Sequence, residues 1–116
     1  MLIRSQNREL LINFDTSPAI GIMEVEGDVR ITCSDTDETL DIGKYSTKRK
    51  ATKVLDMIQK ACVGSEIIKG IIPEIGKTLR EAPLTKENEL LAETLGEELE
   101  KKMIFQMPRD SEVPDD

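Results

Sequence analysis

Ala19-Ile20-Gly21-Ile22-Met23-Glu24-Val25-Glu26-Gly27-Asp28-Val29-Arg30-Ile31-Thr32-Cys33-Ser34 is the stretch whose reading decides the fold class. In its second half Val29, Ile31 and Cys33 point one way while Arg30, Thr32 and Ser34 point the other. That period of two marks a half-buried antiparallel strand. Its first half, Ala19 to Val25, is a second apolar run. Glu26-Gly27-Asp28 between them predicts a tight hairpin, because glycine accepts a positive φ without steric cost. Toward the N-terminus, Leu10, Ile12 and Phe14 alternate with Leu11 and Asn13, and Asp15-Thr16-Ser17-Pro18 supplies a turn. In the other direction Ser34-Asp35-Thr36-Asp37 turns the chain, and Leu40 with Ile42 gives a fourth strand ending near Gly43.

The periodicity then changes. Ser46 or Thr47 can cap a helix in which Ala51, Val54, Leu55, Ile58 and Cys62 recur at helical spacing, and Gly64 is a natural stop. Across 66–83, Ile67, Ile68, Ile71, Ile72, Ile75 and Leu79 suit a helix, but Gly70, Pro73 and Gly76 interrupt it. Two short helical turns are expected there, the second starting at Pro73, with Pro83 ending the segment. Thr85 caps a last helix over Lys86 to Lys102, with Leu91, Leu95 and Leu99 in line and glutamates on the far side. Met103, Phe105 and Met107 alternate with Ile104 and Gln106 as a short strand halted by Pro108. Strands grouped ahead of helices predict an α+β fold: an antiparallel β-meander followed by two main helices and a short closing strand. Residues 1–108 form a single domain on this reading, and 109–116 an acidic tail expected to fray.

Composition narrows the chemistry. A chain of 116 residues has room for one core, and with 38% hydrophobic and 3% aromatic residues that core is built from Ile, Leu, Val and Met. There is no His and no Trp. That removes imidazole acid–base catalysis, the Ser/His/Asp and Cys/His relays and every His-containing metal site. G-x-G-x-x-G, P-loop, G-x-S-x-G and H-E-x-x-H motifs are absent. Asp35 and Asp37 are explained as turn formers that bond their own backbone. The expectation is a protein that is not an enzyme, with no cofactor and no metal.

The net charge is −7, and residues 81–116 carry it all, with 4 basic against 11 acidic side chains. Without a broad basic face, duplex nucleic acid and anionic membrane are poor partners. Cys33 and Cys62 read as reduced thiols acting as small hydrophobes. Polar residues break Met1 to Phe14, so no signal-peptide core is visible, and no stretch approaches 18 apolar residues. The expected location is the cytoplasm.

One cluster stands out. Lys44, Lys48, Arg49, Lys50 and Lys53 gather at the start of the first helix without an acid among them. A helix start is already positive, so cations there are locally unfavourable, and an anion would gain from both the charges and the free amides. Lys48 and Arg49 lie in the first turn and are the strongest candidates to hold one. Arg109, just past the closing strand, and Arg4, beside the polar Ser5-Gln6-Asn7 turn, are further candidates. The competing explanation is a solvated face, or pairing with the acidic C-terminal region.

Three motifs carry a resemblance. Ile3-Arg4-Ser5-Gln6, then Ile42-Gly43-Lys44-Tyr45-Ser46-Thr47-Lys48-Arg49-Lys50-Ala51 running on to Gln59, and Phe105-Gln106-Met107-Pro108 occur in that order. They resemble the opening, the strand-to-helix junction and the closing strand of a family of small proteins of Gram-positive bacteria and their phages. The chain departs from shorter relatives by its Ile-rich insertion at 66–83. The build of a sheet followed by two helices also loosely resembles the Thoeris anti-defence sponges, phage proteins that sequester cyclic nucleotide signals. The resemblance implies a small, oligomeric, non-enzymatic protein of the host cytoplasm. On that reading it binds a phosphorylated or cyclic signalling nucleotide, and Lys48, Arg49, Arg109 and Arg4, singled out above by their charge, are the residues expected to donate hydrogen bonds to its phosphate. The alternative expectation is an interaction protein that oligomerises, or docks on a host protein, through the acidic Leu-striped helix at 86–102.

Overall fold

The computed structural model describes residues 1–16 and 18–115, and the protein is α+β. Its strands are β1 (Leu2–Arg4), β2 (Leu11–Asn13), β3 (Ala19–Val25), β4 (Asp28–Ser34), β5 (Thr39–Tyr45) and β6 (Ile104–Gln106), and its helices are α1 (Lys48–Glu81) and α2 (Lys86–Met103). Single 3-10 turns lie at Phe14–Thr16 and Asp110–Glu112.

The meander is the sheet β3-β4-β5, antiparallel throughout. Its first turn has the backbone expected of it. Glu26 and Gly27 sit at φ 52 and 85, the left-handed pair that matches the twist of a two-residue hairpin. A register shift opposite Ile31/Thr32 leaves Ile42 as an extra residue in β5. Bulges of this kind bend a strand and re-aim its side chains, and Ile42 and Gly43 are both buried here.

The stretch at 10–14 is not a fourth strand of that meander. β2 belongs to a second sheet, β2-β1-β6, in which β1 runs antiparallel to β2 and parallel to β6. β1 is a strand the sequence pattern gives no sign of. Three residues are too few to establish an alternation, and their partner lies about a hundred positions away in β6.

The three motifs of the first and last strands and of the β5–α1 junction meet where the two sheets join. The Gln6 side chain donates to the carbonyls of Lys44 (3.0 Å) and Pro108 (3.2 Å) and accepts from the Lys44 amide (2.8 Å). Tyr45 Oη donates to the Pro108 carbonyl at 2.8 Å, and Gln106 donates to the carbonyl of Ser5 at 3.0 Å. Ser5 is buried, with its hydroxyl bonded to Asn7 and to the Leu10 amide. These polar residues are consumed in closing the fold.

The core is one cluster in which Ile3, Val29, Ile31, Cys33, Ile42 and Tyr45 of the sheets pack on Ala51, Val54 and Ile58 of α1, closed by Met107 and Val113. Val113 belongs to the segment expected to fray, and it is instead buried against the body. Burial of one such side chain is worth roughly 1.5–3 kcal/mol, enough to hold a short tail in place.

The largest departure from the sequence reading is α1. It is one helix of 34 residues, running without a break through Gly64, Gly70, Pro73 and Gly76. Proline in a helix interior costs about 3 kcal/mol, because it removes one amide donor and crowds the preceding turn. Here Ile68 is buried, Ile75 and Leu79 are half-buried at helical spacing from it, and α1 packs on α2; a continuous helix keeps all three on one face.

Candidate functional site

The structure takes the cation cluster at the start of α1 and gives it partners from its own chain. Thr47 is the helix cap, accepting from the Lys50 amide at 3.1 Å, and the first turn contains no acid. The tail supplies the missing negative charge. Asp110 Oδ1 accepts from the Ser46 amide (2.8 Å) and hydroxyl (3.0 Å), while Lys50 Nζ donates to the Asp110 carbonyl at 3.0 Å and reaches its carboxylate at 3.5 Å. Thr47 donates to the Asp115 carboxylate (2.9 Å), Arg49 to the Asp115 carbonyl (3.0 Å) and Lys53 to the Pro114 carbonyl (2.8 Å). Hydrogen bonds from Ser46, with Lys50 nearby, hold the Asp110 carboxyl below the usual carboxylate range. A carboxylate at a helix start gains from the unpaired amides just as a phosphate would.

The four residues singled out as donors come from three places in the fold: the first turn of α1, the end of β1 and the segment after β6. Lys48 is exposed in the first turn of α1, and Arg49 lies under the tail. Arg109 is bent onto its neighbour Glu112, with Nε 3.9 Å from the carboxylate. Arg4 is exposed at the end of β1. Pairing with the acidic C-terminal region, weighed at the level of sequence, is the arrangement this helix start adopts.

A second polar site escaped the sequence reading. A cavity of about 290 Å³ is lined by Gln6, Asn7, Arg30, Asp41, Ile42, Gly43 and Lys44. Arg30 is clamped between Asp41 and Asp28, and Lys44 reaches Asp28 at 3.4 Å. The Arg30 hydrogen bond, then the charge of Lys44, lowers the Asp28 pKa from its ordinary value. Two cations therefore face two carboxylates, and no charge is left over to recruit a ligand. Among the described residues no group of three or more His, Cys, Asp or Glu side chains is placed to hold a metal ion, and no helix is long and apolar enough to cross a membrane.

The unusual surface lies at the other end of the molecule. α1 and α2 form an antiparallel hairpin that runs off the body as an arm. On α2 the half-buried residues are Asn88, Ala92, Leu95, Leu99 and Met103, one stripe at spacings of three and four. That stripe faces α1, where Ser65 Oγ meets Met103 Sδ at 3.7 Å. Leu95 and Leu99 are thus occupied within the hairpin. Among the described residues α2 fully buries none, and α1 none beyond Ile68. The root of the arm is tied to the body by Lys69, whose ammonium lies 2.7 Å from Asp15 and lowers that carboxyl's pKa.

Part of what the hairpin does not cover is apolar. Val63, Ile67 and Ile71 follow one another at i, i+4 and i+8 on α1 with 56%, 61% and 45% of their surface exposed. Leu84, Leu90 and Leu91 are exposed near the tip. The signal for the α1 stripe was present in the spacing of these residues, but it crosses Gly64 and Gly70 and is invisible once the helix is expected to stop at Gly64. Comparison of the chain with models of protein families, with curated proteins and with solved structures finds no match.

Proposed function

We propose that this protein is a protein-interaction module: a compact α+β body that fixes one end of a helical arm, whose exposed aliphatic face is the contact surface for another folded chain. The observation that carries this reading is the uncovered stripe Val63, Ile67 and Ile71 on a helix that, among the described residues, fully buries none beyond Ile68. Helices draw most of their stability from packing an amphipathic face, and this arm has a second face with nothing on it. The reading assigns the chain no reaction. It also moves the contact from the Leu95–Leu99 stripe of α2, which is occupied within the hairpin, to α1 and the tip.

Sequestration of a phosphorylated nucleotide is less well supported. At the start of α1 such a ligand would have to displace Asp110 and Asp115 from contacts of 2.8–3.0 Å. Its four candidate donors would also have to converge from separate places.

Amide hydrogen exchange on the dilute chain tests the arm reading. Amides of 70–100 should exchange much faster than those of β4 and β5, because local opening there exposes little buried surface. Equal protection of arm and body in a monomer would mean that the hairpin is complete by itself, and would overturn the proposal.

A further inference from the structure

The exposed face of α1 reads the same in both directions. Lys60, Val63, Ile67, Ile71 and Glu74 fall at spacings of three, four, four and three, which places all five on one side of the helix. Around Ile67 the stripe is symmetric in character: an aliphatic residue four positions away on each side, then a cation seven positions before and an anion seven positions after. Gly64 and Gly70 also sit three positions either side of Ile67, and a methyl group built on either would meet nothing within 4 Å. Each glycine weakens a helix interior, a cost that has a use where a second backbone approaches. All five stripe residues are exposed. Among the described residues neither the Lys60 ammonium nor the Glu74 carboxylate has an ion-pair partner.

Resting on the interaction-arm reading, we propose that the partner of this arm is a second copy of the same chain, crossing α1 antiparallel on a two-fold axis at Ile67. A two-fold contact uses one patch on both subunits, so residue i meets j and j meets i. About Ile67 that rule puts Lys60 of each copy opposite Glu74 of the other, Val63 opposite Ile71, and Ile67 on itself. A parallel arrangement would instead set Lys60 against Lys60 and Glu74 against Glu74. Like charges so placed oppose pairing, which makes the end charges a direction signal as well as a contact. Gly64 and Gly70 flank the axis and let the helices approach closely. Ile67 lies roughly 28 Å along α1 from its first residue at 1.5 Å per residue, so the helix starts of the two copies lie at opposite ends of the crossing.

Sedimentation equilibrium or light scattering on the whole chain, at about 1 to 200 µM, reads the association directly. The expected result is a mass approaching twice 13.0 kDa at the upper end. Ile67→Glu sets two carboxylates against each other on the axis and should weaken association by about tenfold or more, as losses at central contacts do. Lys60→Glu and Glu74→Lys should each weaken it, and the double variant should recover it, because the swapped pair is again opposite in sign across the two-fold. Circular dichroism of each variant checks that α1 remains helical. A mass of 13.0 kDa throughout the range overturns self-pairing while leaving the exchange test of the arm to stand or fall separately. A dimer indifferent to Ile67→Glu, or a double swap no better than its parents, overturns the antiparallel register.

Discussion

Asp110 shows how a single side chain decides what a charged cluster is for. Its carboxylate accepts two hydrogen bonds from Ser46, immediately ahead of the Thr47 cap, and faces Lys50. Removing it with Asp110→Ala leaves the Ser46 amide without its partner and should destabilise the protein by about 1 kcal/mol, the usual size of one such bond. The folded-state pKa lies below the ordinary 3.8, so the contribution is present above that value and disappears as the pH falls through the lowered one. Urea unfolding of the two proteins should therefore differ at pH 6 and converge as the pH is taken below 3.8. Gly43 is a second residue with a defined role. A Cβ there would lie 2.9 Å from Tyr45 Cε2 and 3.1 Å from the Met107 methyl, both buried side chains. Gly43→Ala should cost about 1–3 kcal/mol by overpacking, seen as a lower urea midpoint with an unchanged slope.

At the scale of the element, α1 survives a composition that should break it. Pro73 lies in an exposed turn of the helix, beyond Ile68, the last of its fully buried residues among those described. Pro73→Ala should raise stability by up to about 3 kcal/mol, since it restores a missing amide donor and relieves crowding at no cost in packing. Gly76→Ala, with nothing within 4 Å of the added methyl, should add about 1 kcal/mol. Both gains should appear as slower exchange of arm amides and leave the body amides unchanged. A loss of stability in either variant would mean that α1 bends there for a reason its exposed surface does not reveal.

The whole molecule is long for its size. Its extents are 61 × 33 × 22 Å and its radius of gyration is 17.6 Å, where a compact chain of about this length has a radius near 13 Å. The excess is the arm. Two regions of different cohesion follow, with cleavage expected first in the more open one. Leu84, 96% exposed in the connection between the helices, marks the place. Limited proteolysis should cut at 82–85 before any site in β3, β4 or β5, because exposed connections open locally at little cost. First cleavage inside the meander would contradict this division.

What local chemistry could dictate, the amino-acid order determined: the β3–β4 hairpin from Glu26-Gly27, the alternation of β4, the cap at Thr47, the Leu95–Leu99 face of α2 and the α+β class itself. Each depends on neighbours a few positions apart, where periodicity and turn geometry act directly. Tertiary structure alone decided the rest. β1 exists because β6 lies beside it, about a hundred residues on. Helix α1 continues past Pro73 because α2 supports one of its faces. The basic helix start, legible as a cluster, was not legible as a closed site, since Asp110 and Asp115 reach it from some sixty residues away. A charge pattern states only which sign is wanted, and chain topology settles whether the counter-charge comes from a ligand or from the protein itself.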